Sequence, residues 1–342
     1  MKKLLFALFL LLNVSTMFAG KNTFTVLQWN IWQEGTVVKG GFDAIIDEIA
    51  RLKPDFVTFS EVRNYHNTRF CDRVVSALAK RGETYYSFYS NDSGLLSRNP
   101  IKDSTTVYPL NNDQGSCYRM LTTINGREIA VYTAHLDYRS CAYYNVRGYH
   151  GSTWKEIPIP TSVAEVLTFN DESVRDDAIR NFIKMAKEDI AKGRLVMIGG
   201  DFNEPSHLDW TRETKDLYDH HGLIIPWTVT LELDNAGFKD SYREKYPDIL
   251  KYPGFTYPSD NKDMATKKLT WTPKSDERER IDYIFYYPDP KLVLKKAIIF
   301  GPSGCIVHNK RTEETSKDRF LKPSGTWPTD HKGLLVTFGL KK

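Results

Sequence analysis

The chain has 342 residues, of which 41% are hydrophobic and 26% are charged, and its formal net charge is +4. That much apolar sequence can build a sizeable core in one large domain or in two small ones. A nearly neutral chain lacks the broad basic field of a protein that grips nucleic acid tightly, so the composition argues against that class. After the first twenty residues, no segment is long and apolar enough to span a bilayer.

The first twenty residues have the pattern of a secretory signal. Lys2 and Lys3 precede an apolar run at positions 4–12, and small or polar residues follow as far as Gly20. A basic start, a short apolar run and a small-residue cleavage site are typical of a segment that directs export and is then removed. We therefore expect residues 1–20 to be a signal peptide and the mature protein to be secreted or periplasmic.

The cysteines are compatible with an oxidising compartment, although they do not require one. Their wide spacing matches no zinc motif, and zero, one or two disulfides are all compatible with the sequence. The four positions are Cys71, Cys117, Cys141 and Cys305.

The apolar pattern of the mature chain alternates between the two-residue period of strands and the 3.6-residue period of helices. Strands are predicted at 23–29, 56–60, 85–89, 94–97, 118–124, 128–134, 196–200, 238–241, 280–285 and 334–338. Helices are predicted at 42–52, 68–80, 173–191 and 228–236. The strands on either side of Asn125-Gly126 carry the strongest short signal for a hairpin. No linker interrupts this series, so residues 21–342 are expected to form one domain.

One stretch, residues 138–170, has no clear period and is rich in Tyr, Gly and Pro. A long segment of this kind is either a functional insertion or a surface lobe. Its aromatic side chains can stack on a base or sugar, meet a lipid interface, or simply pack the lobe. The aromatic residues in question are Tyr138, Tyr143, Tyr144, Tyr149 and Trp154.

Polar side chains occur at several strand ends. Asp201 and Asn203 follow a buried strand that ends in two glycines, and their spacing of two places them on the same side of an extended chain. Carboxylate and amide oxygens on one side suit a hard divalent cation or a phosphoester. Each position alone could be a helix cap, an ion pair or a turn. The full set is Asn30, Glu61, His135, Asp201 with Asn203, Asp282, and Asp330 with His331.

The motifs around these positions resemble those of the endonuclease/exonuclease/phosphatase superfamily, which includes DNase I-like nucleases, abasic-site endonucleases, bacterial sphingomyelinases and inositol-phosphate phosphatases. The resemblance extends over nearly the whole mature chain. It implies an α/β (α+β) fold, a four-layer sandwich of two mixed β-sheets flanked by helices, with the site at one end. In chain order the motifs are Gln28-Trp29-Asn30, Ser60-Glu61-Val62, Gly94-Leu95-Leu96-Ser97-Arg98, Ala134-His135-Leu136, Gly200-Asp201-Phe202-Asn203, Gly237-Phe238-Lys239-Asp240, Arg280-Ile281-Asp282-Tyr283 and Thr329-Asp330-His331.

The resemblance also implies a metal site. Glu61 would be the principal Mg²⁺ ligand, with Asn30 and Asp330 near the metal, and Mn²⁺ or Ca²⁺ are alternatives. Asp201 and Asn203 would position the attacking water or the phosphate. One firm carboxylate with looser neighbours suits Mg²⁺, which keeps several of its waters.

Two histidines complete the implied site. Asp282 would orient His331 and stabilise its charge, and His331 would act as a general base or as a phosphate-stabilising imidazolium. His135 would bind a phosphate oxygen or assist the leaving group. Members of the superfamily have an acid that supports this first histidine. No such acid can be assigned here, although Asp137 is close in sequence.

Arg119 and His207 are further candidates for contact with the substrate. Arg119 lies on a strand next to that of His135 and could bind phosphate or form an ordinary surface ion pair. His207 comes just after Asn203 and could line the site. The adjacent His220-His221 lies in a polar segment, and both side chains are expected to be solvated.

These observations predict an exported, Mg²⁺-dependent phosphoesterase that hydrolyses a phosphodiester. The near-neutral charge favours a small or lipid-derived phosphodiester, and an extracellular DNase I-like nuclease that acts on nucleic acid is the alternative. A hypothesis of another class is a binding module that keeps the fold without the chemistry. The oligomeric state is left open.

Overall fold

Fifteen strands and seven α-helices make up residues 22–341, the part of the chain that the computed structural model describes. The expected signal peptide, residues 1–20, lies outside this range. In chain order the strands are β1 (Thr23–Asn30), β2 (Phe56–Val62), β3 (Tyr86–Ser87), β4 (Asp92–Ser97), β5 (Asp103–Tyr108), β6 (Gly115–Ile124), β7 (Arg127–Leu136), β8 (Leu195–Asp201), β9 (Lys239–Asp240), β10 (Asp282–Tyr286), β11 (Leu292–Phe300), β12 (Gly304–Val307), β13 (Lys310–Glu313), β14 (Phe320–Leu321) and β15 (Gly333–Leu340). The helices are α1 (Gly41–Leu52), α2 (Phe70–Ala79), α3 (Ala142–Asn145), α4 (Val163–Asn170), α5 (Arg175–Ala191), α6 (Thr228–Asn235) and α7 (Ser241–Lys245).

Most strands belong to two mixed sheets. One sheet has the order β14-β11-β15-β1-β2-β4-β3 and the other has the order β5-β6-β7-β8-β10-β9, while β12 and β13 form a separate hairpin. Within each large sheet the central pair, β1 with β2 or β7 with β8, is parallel and is flanked by antiparallel neighbours. The two parallel pairs end at the same end of the molecule, which is where the polar strand ends collect.

The sheets pack face to face, and helices cover their outer faces. Val26 and Met197 belong to the apolar core between the two sheets. On one outside face the isoleucines of α1 pack against β1 and β2, and on the other Phe182 of α5 packs edge to face on Tyr132 of β7. The predicted four-layer arrangement is therefore confirmed.

Five strands, β5 and β11 to β14, were not predicted from the sequence pattern, and for β5 and β11 the structure shows why. Strand β11 carries Lys295 and Lys296 in its middle, and a bulge between Leu294 and Lys296 interrupts the alternation of apolar residues. Strand β5 is a largely exposed edge strand with little apolar sequence. Both strands depend on neighbours for their hydrogen bonds, and a window of local sequence does not include those neighbours.

Residues 138–170, called the lobe below, contain α3 and α4 and share an apolar core with Trp210 and Trp227 from the segment after β8. Buried tyrosines and small helices, rather than a regular repeat, hold this segment together, which accounts for its lack of period.

No helix within residues 22–341 has the length and apolar content to cross a bilayer. All four cysteines lie in this same range as buried free thiols: Cys71, Cys117, Cys141 and Cys305. Of the three possibilities left open by the sequence (zero, one or two disulfides), the structure therefore has zero.

His220 is buried beneath the lobe, and the expectation that it is solvated is wrong for this residue. Its ring is 2% exposed and stacks on Trp210 with ring centroids 3.6 Å apart, whereas His221 is exposed. Burial, reinforced by the positive charge of Arg147, lowers the pKa of His220 from 6.5 to about 2. The folded protein therefore keeps this imidazole neutral where the unfolded chain would protonate it.

We expect His220 to make the protein less stable as the pH falls. Because the pKa of the folded state lies below that of the unfolded state, the stability is fully present above the unfolded pKa of 6.5 and is lost below it. Between about pH 7 and about pH 5 the loss amounts to about 2 kcal/mol. His220→Phe keeps a ring on Trp210 and should remove this part of the pH dependence in urea unfolding. His221→Gln should keep it, and an unchanged pH dependence in His220→Phe would contradict the assignment.

Candidate active site

Strand β2 contains a bulge at Glu61, because Ser60 and Val62 pair with consecutive residues of β4. Glu61 has a φ of 70°, a left-handed conformation that residues other than glycine rarely adopt. A bulge of this kind re-aims one side chain at a strand end and is common next to active sites. The Glu61 carboxylate accepts hydrogen bonds from the backbone N–H of Gln33 at 2.9 Å and from Asn30 Nδ2 at 3.1 Å.

Asn30 joins the two sheets. It ends β1 in the seven-stranded sheet, and its Nδ2 donates to Asp201 Oδ2, at the end of β8 in the six-stranded sheet, over 2.9 Å. Its own Oδ1 accepts from the backbone N–H of Trp32 at 2.9 Å, which fixes the amide orientation. The backbone N–H of Asp201 donates in turn to Ser60 Oγ at 3.1 Å. The two strand ends are thus held together by hydrogen bonds between buried groups.

Gly199, two residues before Asp201, allows the sheets to approach this closely. A Cβ at Gly199 would collide with the hydroxyl of Thr58 on the facing β2 strand. Beyond the strand, the backbone N–H of Asn203 donates to Asp201 Oδ1 at 2.9 Å, and Asn203 Nδ2 donates to the carbonyl of Leu136 at 2.9 Å. Both polar side chains are therefore held in place by hydrogen bonds.

His331 forms a pair with Asp282. Its Nδ1 lies 2.9 Å from Asp282 Oδ2, so the other ring nitrogen faces Asp201, with Nε2 3.8 Å from Asp201 Oδ2. Asp282 is fully buried, and Gln28 Nε2 donates to its second oxygen at 3.4 Å. Burial alone would lower the pKa of His331, but the negative charges of Asp282 and Asp201 outweigh it and raise the pKa to about 10.

His135 forms a second pair of the same kind, with Asp92. Its Nδ1 lies 2.9 Å from both oxygens of Asp92, and Arg63 Nη1 lies 2.9 Å from Asp92 Oδ1. On the other side of the ring, Nε2 lies 3.1 Å from Asn203 Nδ2 and 3.9 Å from Asp201 Oδ2. Burial would lower the pKa of His135, but the charge of Asp92 outweighs it and raises the pKa to about 9.

Asp92 is the supporting acid that sequence reasoning missed. It begins β4 and lies across from the bulge that carries Glu61, as the pairing of Val62 with Asp92 shows. An acid two positions before the predicted strand 94–97 was a signal for it, but the pairing of that strand with β2 cannot be seen in the local sequence. Asp137, the neighbour in sequence, instead accepts from the backbone N–H of Arg139 at 3.2 Å and from its Nε at 3.0 Å.

The two imidazoles, of His135 and His331, face one cleft with a volume of about 280 Å³, together with the carboxylates of Glu61, Asp201 and Asp330. Burial raises the pKa of Asp330 to about 7, with the positive charge of His331 opposing this rise and the negative charge of Glu61 adding to it. Burial also raises the pKa of Asp201 to about 6, an effect that the charge of Asp282 reinforces. The carboxylates that face the cleft therefore repel one another in a site largely shielded from water.

This arrangement fits a divalent cation. Glu61 and Asp330 offer carboxylate oxygen atoms, which are the ligands that hard cations prefer, and a cation would offset the repulsion between the two acids. Asn30 turns its Nδ2 toward Glu61 and Asp201 while its Oδ1 accepts from Trp32, so its amide holds these carboxylates in place. Asp201, Asp282 and His331 also place ligand atoms within 4.8 Å of one another. In that group Asp282 lies behind the imidazole and holds its Nδ1, so the group is better suited to orienting His331 than to enclosing a metal.

The structure brings eight of the ten predicted site residues together and corrects the prediction for Arg119 and His207. Arg119 lies on the outer face of β6, where it pairs with Asp189 of α5 at 3.1 Å and with Asp103 at 2.7 Å. His207 is half-buried, with its Nδ1 2.9 Å from Thr230 Oγ1. Neither residue lines the cleft. The prediction for Arg119 rested on the neighbouring strand and failed because alternate strand residues face opposite sides. The prediction for His207 rested on its position just after Asn203 and failed because the chain turns away there.

Two carboxylate-supported imidazoles beside clustered carboxylates and amides, at one end of a four-layer sandwich, define a hydrolase site for phosphoric esters. The profile of the endonuclease/exonuclease/phosphatase family matches residues 27–331, and the chain belongs to this family. Its members are metal-dependent phosphodiesterases, nucleases or phosphatases, and this chain is a phosphoric ester hydrolase of that type.

The chain is similar to one relative in sequence and to solved structures in fold. The Caenorhabditis elegans protein F14F9.5 is 29% identical over 295 residues, which cover 83% of this chain and 85% of that protein. The structure of TDP2 from D. rerio in complex with a single-strand DNA product matches with a TM-score of 0.53 at 16% identity, covering 93% of this chain and 100% of that one. An endonuclease/exonuclease/phosphatase from Bacteroides vulgatus matches with a TM-score of 0.50 at 15% identity, covering 94% and 100% of the two chains. At these identities the two structures support the fold alone.

We expect Asp92→Asn to impair catalysis through His135 while leaving the fold intact. Loss of the carboxylate removes the group that orients the ring and stabilises its positive charge, so hydrolysis of a chromogenic phosphodiester should fall by about 100-fold. The pKa of His135, measured by NMR, should fall as well. Asp103→Asn, which changes an exposed partner of Arg119, is the matched control and should retain the parent rate. A parent-like rate in Asp92→Asn would show that the pair has no catalytic function.

Proposed function

We propose that this protein is an exported, Mg²⁺-dependent phosphodiesterase that acts on a small or lipid-derived phosphodiester. The observation that carries the proposal is the convergence of two imidazole–carboxylate pairs and the carboxylates of Glu61 and Asp330 on one cleft. This combination supplies proton donors, a base and a place for a cation around one reacting phosphorus.

The metal would be held by Glu61, with Asn30 and Asp330 beside it. Mg²⁺ is favoured because the donors are oxygens and because a single firm carboxylate leaves it several waters, while Mn²⁺ or Ca²⁺ could take the same ligands. When bound, the cation supplies positive charge that polarises the phosphoryl group and stabilises the charge of the transition state.

The remaining groups act as donors, a positioning amide and a base. Because His331 and His135 each have a carboxylate on Nδ1, each is suited to remain protonated and to donate from Nε2 to a phosphate oxygen or to the leaving group. Asp201 Oδ2 lies within 4 Å of both Nε2 atoms and is placed to accept a proton from the attacking water. Asn203 would hold a phosphate oxygen with its amide.

The charge around the cleft supports a substrate with few phosphates. Within residues 22–341, the cleft is lined by a single Lys or Arg side chain, Arg63, and that guanidinium already pairs with Asp92 and Asp113. A protein that grips a nucleic-acid backbone neutralises several phosphates with cations. Extracellular nuclease activity stays the alternative, since the D. rerio TDP2 neighbour binds a single-strand DNA product.

Two further parts of the proposal rest on the sequence. Export is supported by the basic, apolar and small-residue pattern of residues 1–20. A non-catalytic binding module would be expected to lack at least one of the central groups, but Glu61, Asp201, Asp282 and His331 are all present. Catalysis is therefore favoured over binding alone.

Hydrolysis of bis(p-nitrophenyl) phosphate should require a divalent cation, His331 and Glu61. EDTA should abolish turnover, added Mg²⁺ should restore it, and Glu61→Gln and His331→Ala should each lower kcat/KM by roughly 1,000-fold or more. The matched controls, Glu156→Gln and His66→Ala, change exposed side chains that do not line the cleft and should retain the parent rate. Near-parent rates in either site variant, or indifference to EDTA, would refute the proposal.

A salt series distinguishes a small phosphodiester from a nucleic acid. If the substrate is small, KM should change little as the salt concentration rises from about 50 to about 200 mM, because few counterions are released. A nuclease that contacts several phosphates would lose affinity for single-stranded DNA by roughly 1,000-fold over the same range. Efficient cleavage of DNA with that steep dependence would replace the proposed substrate with the alternative one.

A further inference from the structure

One side of the cleft is built from four aromatic rings in contact. The indoles of Trp271 and Trp154 stack with centroids 4.8 Å apart and planes 25° from parallel. Trp154 meets Tyr144 edge to face at 4.8 Å, and Tyr144 lies 4.2 Å from Tyr143. All four line the same cleft as His135 and His331, and we call them the aromatic wall.

The inner and outer members of the aromatic wall differ in exposure. Tyr143 and Tyr144 are buried and belong to the core of the lobe, so their packing needs no ligand to explain it. Trp271 is 50% exposed, although it is the largest kind of side chain and has an apolar surface. An indole left half in water at the edge of a site is a surface on which a ligand ring can stack.

The position of Trp271 is set by a buried carboxylate. Glu277 is 1% exposed, and its Oε2 accepts from the backbone N–H groups of Trp271 and Thr272, each at 3.1 Å, and from Thr272 Oγ1 at 3.0 Å. A backbone that is fixed in this way costs less entropy when a ligand binds than a mobile loop would. The outer indole is therefore preorganised rather than loosely attached.

The chemistry of the wall and the size of the cleft fit a phosphate with an attached ring. The flat faces of the indoles can stack on a planar substituent, while the charged and polar groups that line the same cleft suit the phosphate. A volume of about 280 Å³ is at the small end for ligand pockets and has room for a phosphate and a ring.

We propose that the aromatic wall binds a planar ring attached to the scissile phosphate, so that the substrate is a phosphodiester with an aryl or nucleobase-bearing substituent. This inference rests on the proposed phosphodiesterase function and narrows its substrate class. Trp271 and Trp154 would stack with the ring and thereby hold the phosphorus near His135 and His331. The two tryptophans come from separate segments, the lobe and the stretch before β10, so the subsite forms only in the folded chain.

The test is a calorimetric comparison of three monoesters of similar charge, measured with the full chain and Mg²⁺: methyl phosphate, phenyl phosphate and thymidine 5′-monophosphate. In the parent, at least one ring-bearing ester should bind about tenfold more tightly than methyl phosphate, as expected for one stacked ring. Tighter binding of thymidine 5′-monophosphate alone indicates a nucleobase, and tighter binding of phenyl phosphate as well indicates rings in general. Equal affinity for all three esters would overturn the inference.

Variants at Trp271 separate stacking from other effects. Trp271→Ala should reduce the advantage of the ring-bearing esters to about twofold or less, and Trp271→Phe should keep most of it, because a phenyl ring still stacks. Tyr86→Ala removes an exposed aromatic side chain that does not line the cleft and should leave the advantage unchanged. A ring advantage that survives in Trp271→Ala would overturn the assignment to the wall.

Kinetics keep this inference distinct from the proposed function. Trp271→Ala should raise KM for bis(p-nitrophenyl) phosphate by about tenfold with a smaller change in kcat. If the parent hydrolyses no phosphodiester, the proposed function fails, while the binding data still decide whether the wall takes a ring. If vesicles of sphingomyelin are hydrolysed in preference to ring-bearing esters and Trp271→Ala abolishes that preference, the wall serves a lipid and the inference is wrong.

Discussion

The crowding of negative charge at one end of the sandwich is the constraint on which the other features of this protein depend. Five acids, Glu61, Asp92, Asp201, Asp282 and Asp330, lie at this end of the molecule, and all of them except Glu61 are buried. A buried charge is tolerated only where partners compensate for it. Asp92 and Asp282 each pair with an imidazole, and Asp201 and Glu61 share the amide of Asn30. Glu61 and Asp330 also face the cleft, where a cation would compensate for their charge. The imidazoles and the amide that stabilise these buried carboxylates in the fold are therefore also the groups available for catalysis.

The same structural feature, a central pair of parallel strands, brings these groups together in both large sheets. Each large sheet has a parallel pair of strands at its centre, and the carboxyl ends of both pairs open at the same end of the molecule. Asn30 and Asp201 come from different sheets and share one hydrogen bond, so the geometry of the site depends on how the two sheets pack against each other. The bulge at Glu61 adds a local distortion that turns its carboxylate toward Asn30 instead of leaving it in the ladder. The lobe then lines one side of the cleft with aromatic rings, which add a flat apolar surface to the polar site.

Sequence reasoning found the members of the site that sit in strands or directly beyond them. Asp201, Asn203 and His331 follow or precede apolar runs with glycine boundaries, so both their local structure and their shared direction could be read from spacing. Asp92 was missed because its partner, His135, lies 43 residues away and the two meet only through the pairing of β4 with β2 and the packing of the two sheets. Arg119 illustrates the opposite error, since it is on the correct strand and faces the wrong side.

By itself, the sequence determined the alternation of strands and helices and the order of the polar motifs, because periodicity and turn residues act over short distances. The family and the layered fold were implied by the resemblance of those motifs to a known superfamily. Only the tertiary structure decided which acid supports His135, that His220 is buried while His221 is exposed, and that the rings of Trp154 and Trp271 stack beside the cleft. Those outcomes depend on burial and on contacts between segments that are distant in sequence. Their energies come from the removal of water and the approach of charges in three dimensions, which no local pattern of residues encodes.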